Sequence, residues 1–529
     1  MIKTVLRPLL ILFCFYSFFG TSAAFGRDAF PGVKSKKIVL IAGEKSHGSG
    51  DHEYIKSVRL LKTMLDQSKI EGIATEIHLH GWPKDPETLE DADLILFISD
   101  GRDGHLYSDV PFMTEERMRV MERQMDRGCG FSLIHFSTFA SDEIGQKVIQ
   151  WGGGYFDWQD EQGERNWYSS IKTLEGSLEL PTPGHPILSG VAPFTMKDEY
   201  YYNIRFLQQD PRLQIIAAVP ELEGREGNGN AVAWAVERED GGRGFSTTMG
   251  HSFVNWQNRQ FRKLILNGIV WAAGATVPKD GVEAAYFTDR EVTQHLYGKS
   301  QKALILTGNH HPGHPWRETS DLIKSIVENG TEFFVDISTN MEDLSQYDLA
   351  DYDALILNYA NWEDPTPLSE FSKKAFTGYL LEGGGLMVIH FANGAFHYSL
   401  PNAGDSDWPE YREIVRRVWD HHADSGHDSY GEFKVNIADR KHPIASGIAA
   451  FRTTDELYFN QKGEKPIEPI LTATSMVTGK EEPLAWAYNY GSGRIFQTLL
   501  GHDSKSFGSL EIHKILQNAV EWVSGIKEE

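Results

Sequence analysis

The sequence predicts an α/β protein of two tandem domains, each an open, mostly parallel sheet with helices on both faces. Three observations carry this. The chain repeats itself, its apolar runs do not alternate, and amphipathic segments lie between those runs.

The 529 residues exceed what one hydrophobic core serves, since single cores stop growing at about 250–300 residues. Residues 37–274 and 302–525 read as two versions of one domain. KIVLIAG (37–43) pairs with KALILTG (302–308), LEDADLILFISDG (89–101) with LADYDALILNYAN (349–361), and RGCGFSLIHFSTFA (127–140) with EGGGLMVIHFANGAF (382–396). Further on, GHPILSGVAPFTMKDEYYYN (184–203) pairs with KHPIASGIAAFRTTDELYFN (441–460), and GRGFSTTMGH (242–251) with GRIFQTLLGH (493–502). The common order, at an offset of roughly 250–265 residues, is the signature of duplication followed by fusion. Residues 275–301 have no matched partner and read as a linker with some structure of its own.

In the second copy, 303–306, 333–336, 354–357 and 386–389 are unbroken apolar runs, as strands buried on both faces require. Between the first two, RETSDLIKSIVENG (317–330) places Leu322, Ile323 and Ile326 on one helical face and stops at Gly330. Strand, helix, strand in alternation argues for parallel pairing. AWAYNYGSGRIFQT reads as an antiparallel hairpin turned at Gly491, Ser492 and Gly493.

Apolar residues make up 40% of the chain and 50 glycines add to them, a globular composition. Lys3 and Arg7 precede an apolar stretch from Leu9 to Phe19, and Ser22 and Ala24 fit a small-residue cleavage site. Residues 1–24 therefore read as a secretory signal peptide, with an uncleaved anchor as the alternative. A secreted or periplasmic protein is expected, without stable membrane insertion after cleavage. Cleavage removes Cys14 and leaves Cys129 as the sole thiol, so no internal disulfide is expected. The formal charge of −23 argues against nucleic acid or anionic lipid as a partner and favours a neutral or cationic small ligand.

Ligands of open parallel sheets gather beyond the carboxyl ends of the strands. GNHHPGHPW (308–316) follows the first strand of the second copy, His390 ends LMVIH, and His502 follows the strand containing IFQTLL. First-copy counterparts are His47 and His52, His135 and His251. An Asp-Glu pair also recurs, Asp198-Glu199 and Asp455-Glu456; one carboxylate can cap backbone N–H groups while the other faces the cleft. Imidazoles with a carboxylate suit a Zn²⁺ or Mn²⁺ site, and the same set serves acid–base chemistry without metal. Both readings stay open on the residues alone.

The strand-end GGGLMVIH, the HPI followed by DELYFN, and GRIFQTLLGH, each with its first-copy version, together resemble the ThuA-like (trehalose utilisation) family over nearly the whole chain after the leader. The resemblance implies a flavodoxin-like fold similar to class I glutamine amidotransferases, and a role in breaking down disaccharides through 3-keto sugars. Amidotransferase chemistry itself is not expected: it needs a Cys at a strand-to-helix elbow, where this chain has His135 and His390. Cys129 precedes its strand and reads as a small core residue.

The expected enzyme is a hydrolase, lyase or isomerase acting on a glycoside. His390, Glu456, His502 and Asp455 are the catalytic candidates, and His311, His314, His390 and His502 the metal candidates. Tyr458, Trp486 and His422 are candidates for sugar contact, although core packing is the default for Tyr201, Tyr458, Trp234 and Trp486. His185 and His442, each before Pro-Ile, read as turn formers, and Arg243 and Arg494 as structural residues beside hairpin glycines. VWDHHADSGHDSYGEF adds His421, His422 and His427 to the second copy, where the first has WGGGYFDWQDEQGERNWY. The working site is therefore expected in the second copy, with the first degenerate, altered in specificity or structural. The alternatives are a carbohydrate-binding protein without catalysis, partnering a secreted oxidoreductase or lyase, and a metal carrier.

Overall fold

The computed structural model describes residues 35–101, 112–157, 164–165, 167–403 and 405–526. The leader expected at 1–24 lies outside the described residues. Among those described, no helix is long and apolar enough to cross a membrane.

In the first copy the strands Ile73–His78, Lys36–Ala42, Leu94–Ile98, Gly130–Ile134 and Arg243–Thr247 lie side by side in that order, all parallel. Ala231–Glu237 and Leu213–Ala218 complete the seven-stranded sheet in antiparallel pairing. The second copy repeats this with Phe333–Ser338, Gln301–Leu306, Ala354–Leu357, Gly385–Ile389 and Gly493–Thr498, then antiparallel Glu481–Tyr490 and Pro469–Thr474. The parallel strands fall where the unalternating runs place them, and the hairpin turns at Gly491 as read.

Both faces of each sheet are covered. In the strand Lys36–Ala42, Ile38, Leu40 and Ala42 enter one apolar cluster, together with Val58 and Leu61 of the helix Tyr54–Gln67. Val39 and Ile41 enter another, with Met118, Met121 and Met125 of the helix Glu115–Asp126. Ala303 and Ile305 part from Leu304 and Leu306 in the same way. The amphipathic segment of the second copy is the helix Trp316–Gly330, which buries Ile323, Ile326 and Val327.

The copies differ in one sheet edge. Gly431–Ile437 and Phe451–Asp455 extend the second sheet to nine strands, whereas Ser170–Leu178 and Phe194–Tyr202 pair only with each other as a separate two-stranded sheet. The linker folds back on the first copy: Arg262 donates to the Ala284 carbonyl (3.0 and 2.9 Å), and Val282 N–H donates to Asn267 (2.7 Å). It then forms the helix Asp289–Tyr297, opened by a Thr288–Glu291 capping box and closed by Gly298 at φ 67°.

Candidate functional site

Three of the five parallel strands of the second copy, Gln301–Leu306, Gly385–Ile389 and Gly493–Thr498, lead at their carboxyl ends to the site histidines His314, His390 and His502. His390 stands where the strand Gly385–Ile389 turns into a short helical segment, with φ 46°, and His135 occupies the same place in the first copy at φ 57°. Left-handed backbone at a β-carbon-bearing residue is rare and collects at functional sites. It turns the imidazole off the strand end while the chain reverses beneath it. His502 follows Gly501 and His251 follows Gly250; these glycines have φ 130° and 112°, which other residues seldom adopt.

Three histidines converge in each copy, His314, His390 and His502 in the second and His52, His135 and His251 in the first, each trio with ligand atoms within 4.8 Å of one another. In the first copy the spacing is tight. His52 Nε2 lies 3.1 Å from His135 Nε2 and 3.1 Å from His251 Nδ1, and the last two are 3.2 Å apart. In both copies a backbone carbonyl fixes the elbow histidine, because Nδ1 of His390 donates to Leu499 O (2.7 Å) and Nδ1 of His135 to Thr248 O (2.8 Å). Nε2 is therefore the nitrogen left to face the cluster. Tyr458 and Tyr201 place hydroxyls 2.9 and 2.8 Å from those Nε2 atoms.

The buried imidazoles are held neutral. Burial, then the neighbouring His47 and His251, push His52 down to about 2. Burial takes His390 down to about 3, with the Leu499 carbonyl opposing and His502 reinforcing the shift. His135 and His314 are lowered strongly for the same first reason. Neutral imidazoles with free lone pairs are what a metal ion needs.

The repeated carboxylate pair divides its work. Asp455 is fully buried and accepts from the backbone N–H groups of Gly501 (2.8 Å), Glu456 (2.8 Å) and His502 (3.3 Å), pinning the turn that carries His502. Asp198 accepts likewise from Gly250 N–H (2.7 Å). Burial pushes both carboxyls up to about 7 while those donors oppose it. Glu456 faces the cluster: its carboxylate oxygens lie 3.2 Å from His502 Nδ1, 3.8 Å from His390 Nε2 and 3.6 Å from His427 Nδ1. Burial works to raise it, but the His502 contact and the His390 imidazole hold it below the usual carboxylate value. Burial likewise works to lower His502, and the Glu456 carboxylate more than offsets this. Glu199 is the first-copy counterpart, 3.5 Å from His251 Nδ1.

Several expected residues fall elsewhere. Trp486 is fully buried, as is Trp234; a ring packed between sheet and helices presents no face to a sugar. His422 is exposed at the surface, where its N–H donates to Asp420. His311 accepts from Gly313 N–H (3.0 Å) and lies with its ring tilted 4.2 Å from that of His314, outside the trio, much as His47 lies 3.6 Å from His52. Burial, then His421, lowers His311 to about 4. His185 and His442 cap short helical turns by accepting from Ile187 and Ile444 N–H groups (3.2 Å each). Arg243 and Arg494 each donate to a tryptophan carbonyl, Trp271 or Trp522, at 3.1 Å. Cys129 is buried and its thiol is pushed up to about 12 by that burial.

The first copy, expected to be degenerate, altered in specificity or structural, has a histidine trio of its own. Its aromatic and acidic segment differs from that of the second copy, but His52, His135 and His251 follow three other strands and meet all the same. Sequence reasoning also passed over the aromatics at the second-copy cluster: Trp362 lies 4.4 Å from His311, Trp419 4.6 Å from Tyr458 and Tyr430 5.3 Å from His502, ring to ring. Trp362 and Trp419 are part-buried and Tyr430 is exposed. They sit in loops, where no periodicity singles out a residue.

Among solved structures, a putative ThuA-like protein from Parabacteroides merdae is 26% identical, covering 43% of this chain and 91% of its own, with a TM-score of 0.37. One from Bacteroides uniformis is 17% identical, covering 46% and 95%, with a TM-score of 0.34. A glutamine amidotransferase from Thermotoga maritima is 10% identical, covering 42% and 98%, with a TM-score of 0.27. No curated protein matches the chain. The family described as ThuA, trehalose utilisation, matches residues 38–272 and again 302–523, and the chain belongs to that family, carrying its domain twice.

Proposed function

We propose that this is an exported, carbohydrate-active enzyme whose catalytic centre is the second-copy histidine trio with Glu456, acting on a disaccharide or its 3-keto form. Family membership supports the carbohydrate. The observation that carries the chemistry is the convergence of His314, His390 and His502 on one another with an ionised carboxylate beside them. His314, His390 and His502 are the residues to hold a divalent ion, Zn²⁺ or Mn²⁺. A bound ion would supply Lewis-acid polarisation of a sugar hydroxyl or carbonyl.

The chain's own residues supply the rest. Glu456, held ionised and facing the trio, takes the proton from a sugar carbon or hydroxyl as general base. Tyr458, whose hydroxyl lies 2.9 Å from His390 Nε2, is placed to donate to a substrate oxygen beside that imidazole. Trp362, Trp419 and Tyr430 offer ring surfaces to the C–H faces of the sugar, the part first assigned to Trp486.

His390→Ala and Glu456→Gln, purified as the full chain and shown folded by circular dichroism, test the reading with a 3-keto disaccharide and product analysis. Loss of turnover by at least about 100-fold in each is expected, as for removal of a positioned acid–base group. Unchanged turnover would refute the assignment, and sugar binding without product in the wild type would favour a binding protein working with an oxidoreductase or lyase.

A further inference from the structure

We propose that the first copy holds a divalent metal ion of its own at His52, His135 and His251, and holds it more tightly than the second copy holds one.

The spacing comes first. Four-coordinate zinc with Zn–N distances of about 2.0–2.1 Å sets its ligand nitrogens about 3.3 Å apart. The first-copy nitrogens stand at 3.1, 3.1 and 3.2 Å, so little movement separates the cluster from a ligand set.

The hydrogen bonds behind two of the rings fix which nitrogens face the cluster without a proton. His135 spends its proton on the Thr248 carbonyl, which can only accept, so its Nε2 carries a bare lone pair. Tyr54 donates to Asp100 at 2.7 Å and must therefore accept from His52 Nδ1, also at 2.7 Å, which leaves His52 Nε2 bare as well. His251 turns Nε2 towards the Asp51 carboxylate (3.5 Å) and Nδ1 towards the other two. Two bare lone pairs thus face each other and His251 Nδ1 in a largely buried spot, and the Tyr201 hydroxyl can satisfy one of them. Lone pairs at this separation repel, and a cation turns the repulsion into bonding. Glu199, 3.5 Å from His251 Nδ1, is the nearby carboxylate for a fourth position.

The difference between the copies lies behind the ligands. Asp100, Tyr54 and His52 form a carboxylate–hydroxyl–imidazole chain, reinforced by Ser46, which donates to Asp100 at 2.6 Å. Such outer partners fix the ring and raise its basicity, and losing one typically lowers metal affinity 10–100-fold. In the repeat, Trp316 stands in place of Tyr54 and Ala360 in place of Asp100. The corresponding His314 has a buried Nδ1 with no hydrogen-bond partner. His52 is anchored through its outer nitrogen, and its counterpart His314 is not.

The inference does not depend on the sugar chemistry proposed above. Zinc content and a chelator-competition titration of the full chain test it, using Zn²⁺ alone as the probe. Two ions per chain are expected, released in two steps. His135→Gln should remove the tighter step, and Tyr54→Phe should weaken that step about 10–100-fold while leaving the weaker one unchanged. A single ion that survives His135→Gln, a tighter step abolished by His390→Ala instead, or a tighter step unmoved by Tyr54→Phe would each overturn the proposal. Should His135→Gln fail to fold, Tyr54→Phe, which removes one hydroxyl, decides alone. None of these outcomes alters the turnover test at His390 and Glu456.

Discussion

His390 illustrates how one residue carries two demands. Its imidazole reaches the cluster only because the backbone adopts φ 46°, a conformation that costs a residue with a β-carbon about 1–2 kcal/mol. Burial adds a second demand, since the ring is fully enclosed and kept neutral. Substitution separates the two. His390→Gly and His390→Ala both delete the imidazole and should both end turnover, yet Gly relieves the backbone and Ala does not. Urea denaturation is expected to show His390→Gly the more stable of the pair by about 1 kcal/mol; equal stabilities would mean that the elbow relaxes when the ring leaves. The position was legible in the sequence, because a histidine closes an apolar strand in both copies. Its backbone conformation was not, since VIHFANG has no glycine at the elbow to announce it.

Elements position the site through their ends, and the strand Phe451–Asp455 shows how. Its last residue holds the turn after the strand Gly493–Thr498, so two segments distant in sequence are locked by one carboxylate. Asp455→Ala would leave the buried N–H groups of Gly501 and Glu456 without an acceptor, at about 1–3 kcal/mol each. A loss of about 3 kcal/mol is expected in denaturant unfolding, with a smaller loss for Asp455→Asn, which keeps an acceptor oxygen. A near-neutral Asp455→Ala would show that water replaces the carboxylate. The sequence revealed the Asp-Glu pair and a possible division between capping and cleft, but gave no means of telling that this hairpin joins the main sheet in one copy and stands apart in the other. Strand propensity is a local property, whereas the choice of sheet neighbour depends on packing.

At the scale of the whole molecule, the repeat announces two domains and is silent on how they meet, because the contacts join residues with no periodic relation. Arg59 of the first copy and Asp336 of the second, 3.1 Å apart, are of this kind. The guanidinium also lies over the Phe334 and Tyr297 rings, and Asp336 accepts from Tyr352 at 3.0 Å. Both partners are largely shielded from water, Arg59 at 8% and Asp336 at 18% side-chain exposure. Burial works against the Asp336 carboxylate, but Arg59 and Lys302 prevail and hold it well below the usual carboxylate value. For an acid whose folded value is depressed, stability is present in full above the unfolded value near 3.9 and is lost as pH falls through the folded one. Asp336→Ala removes one partner and leaves a buried guanidinium uncompensated, which costs about 3–5 kcal/mol. Denaturant unfolding of the full chain at pH 7 should show that loss, and the gap between wild type and variant should narrow progressively below about pH 4. Arg59→Met combined with Asp336→Leu should recover much of the stability, since an apolar pair of similar volume avoids the desolvation of two charges. A gap that stays constant down to pH 2 would show that the loss does not come from the carboxylate charge, and one absent at pH 7 would show that the domains are held by their apolar contacts and that the ion pair only sets their register.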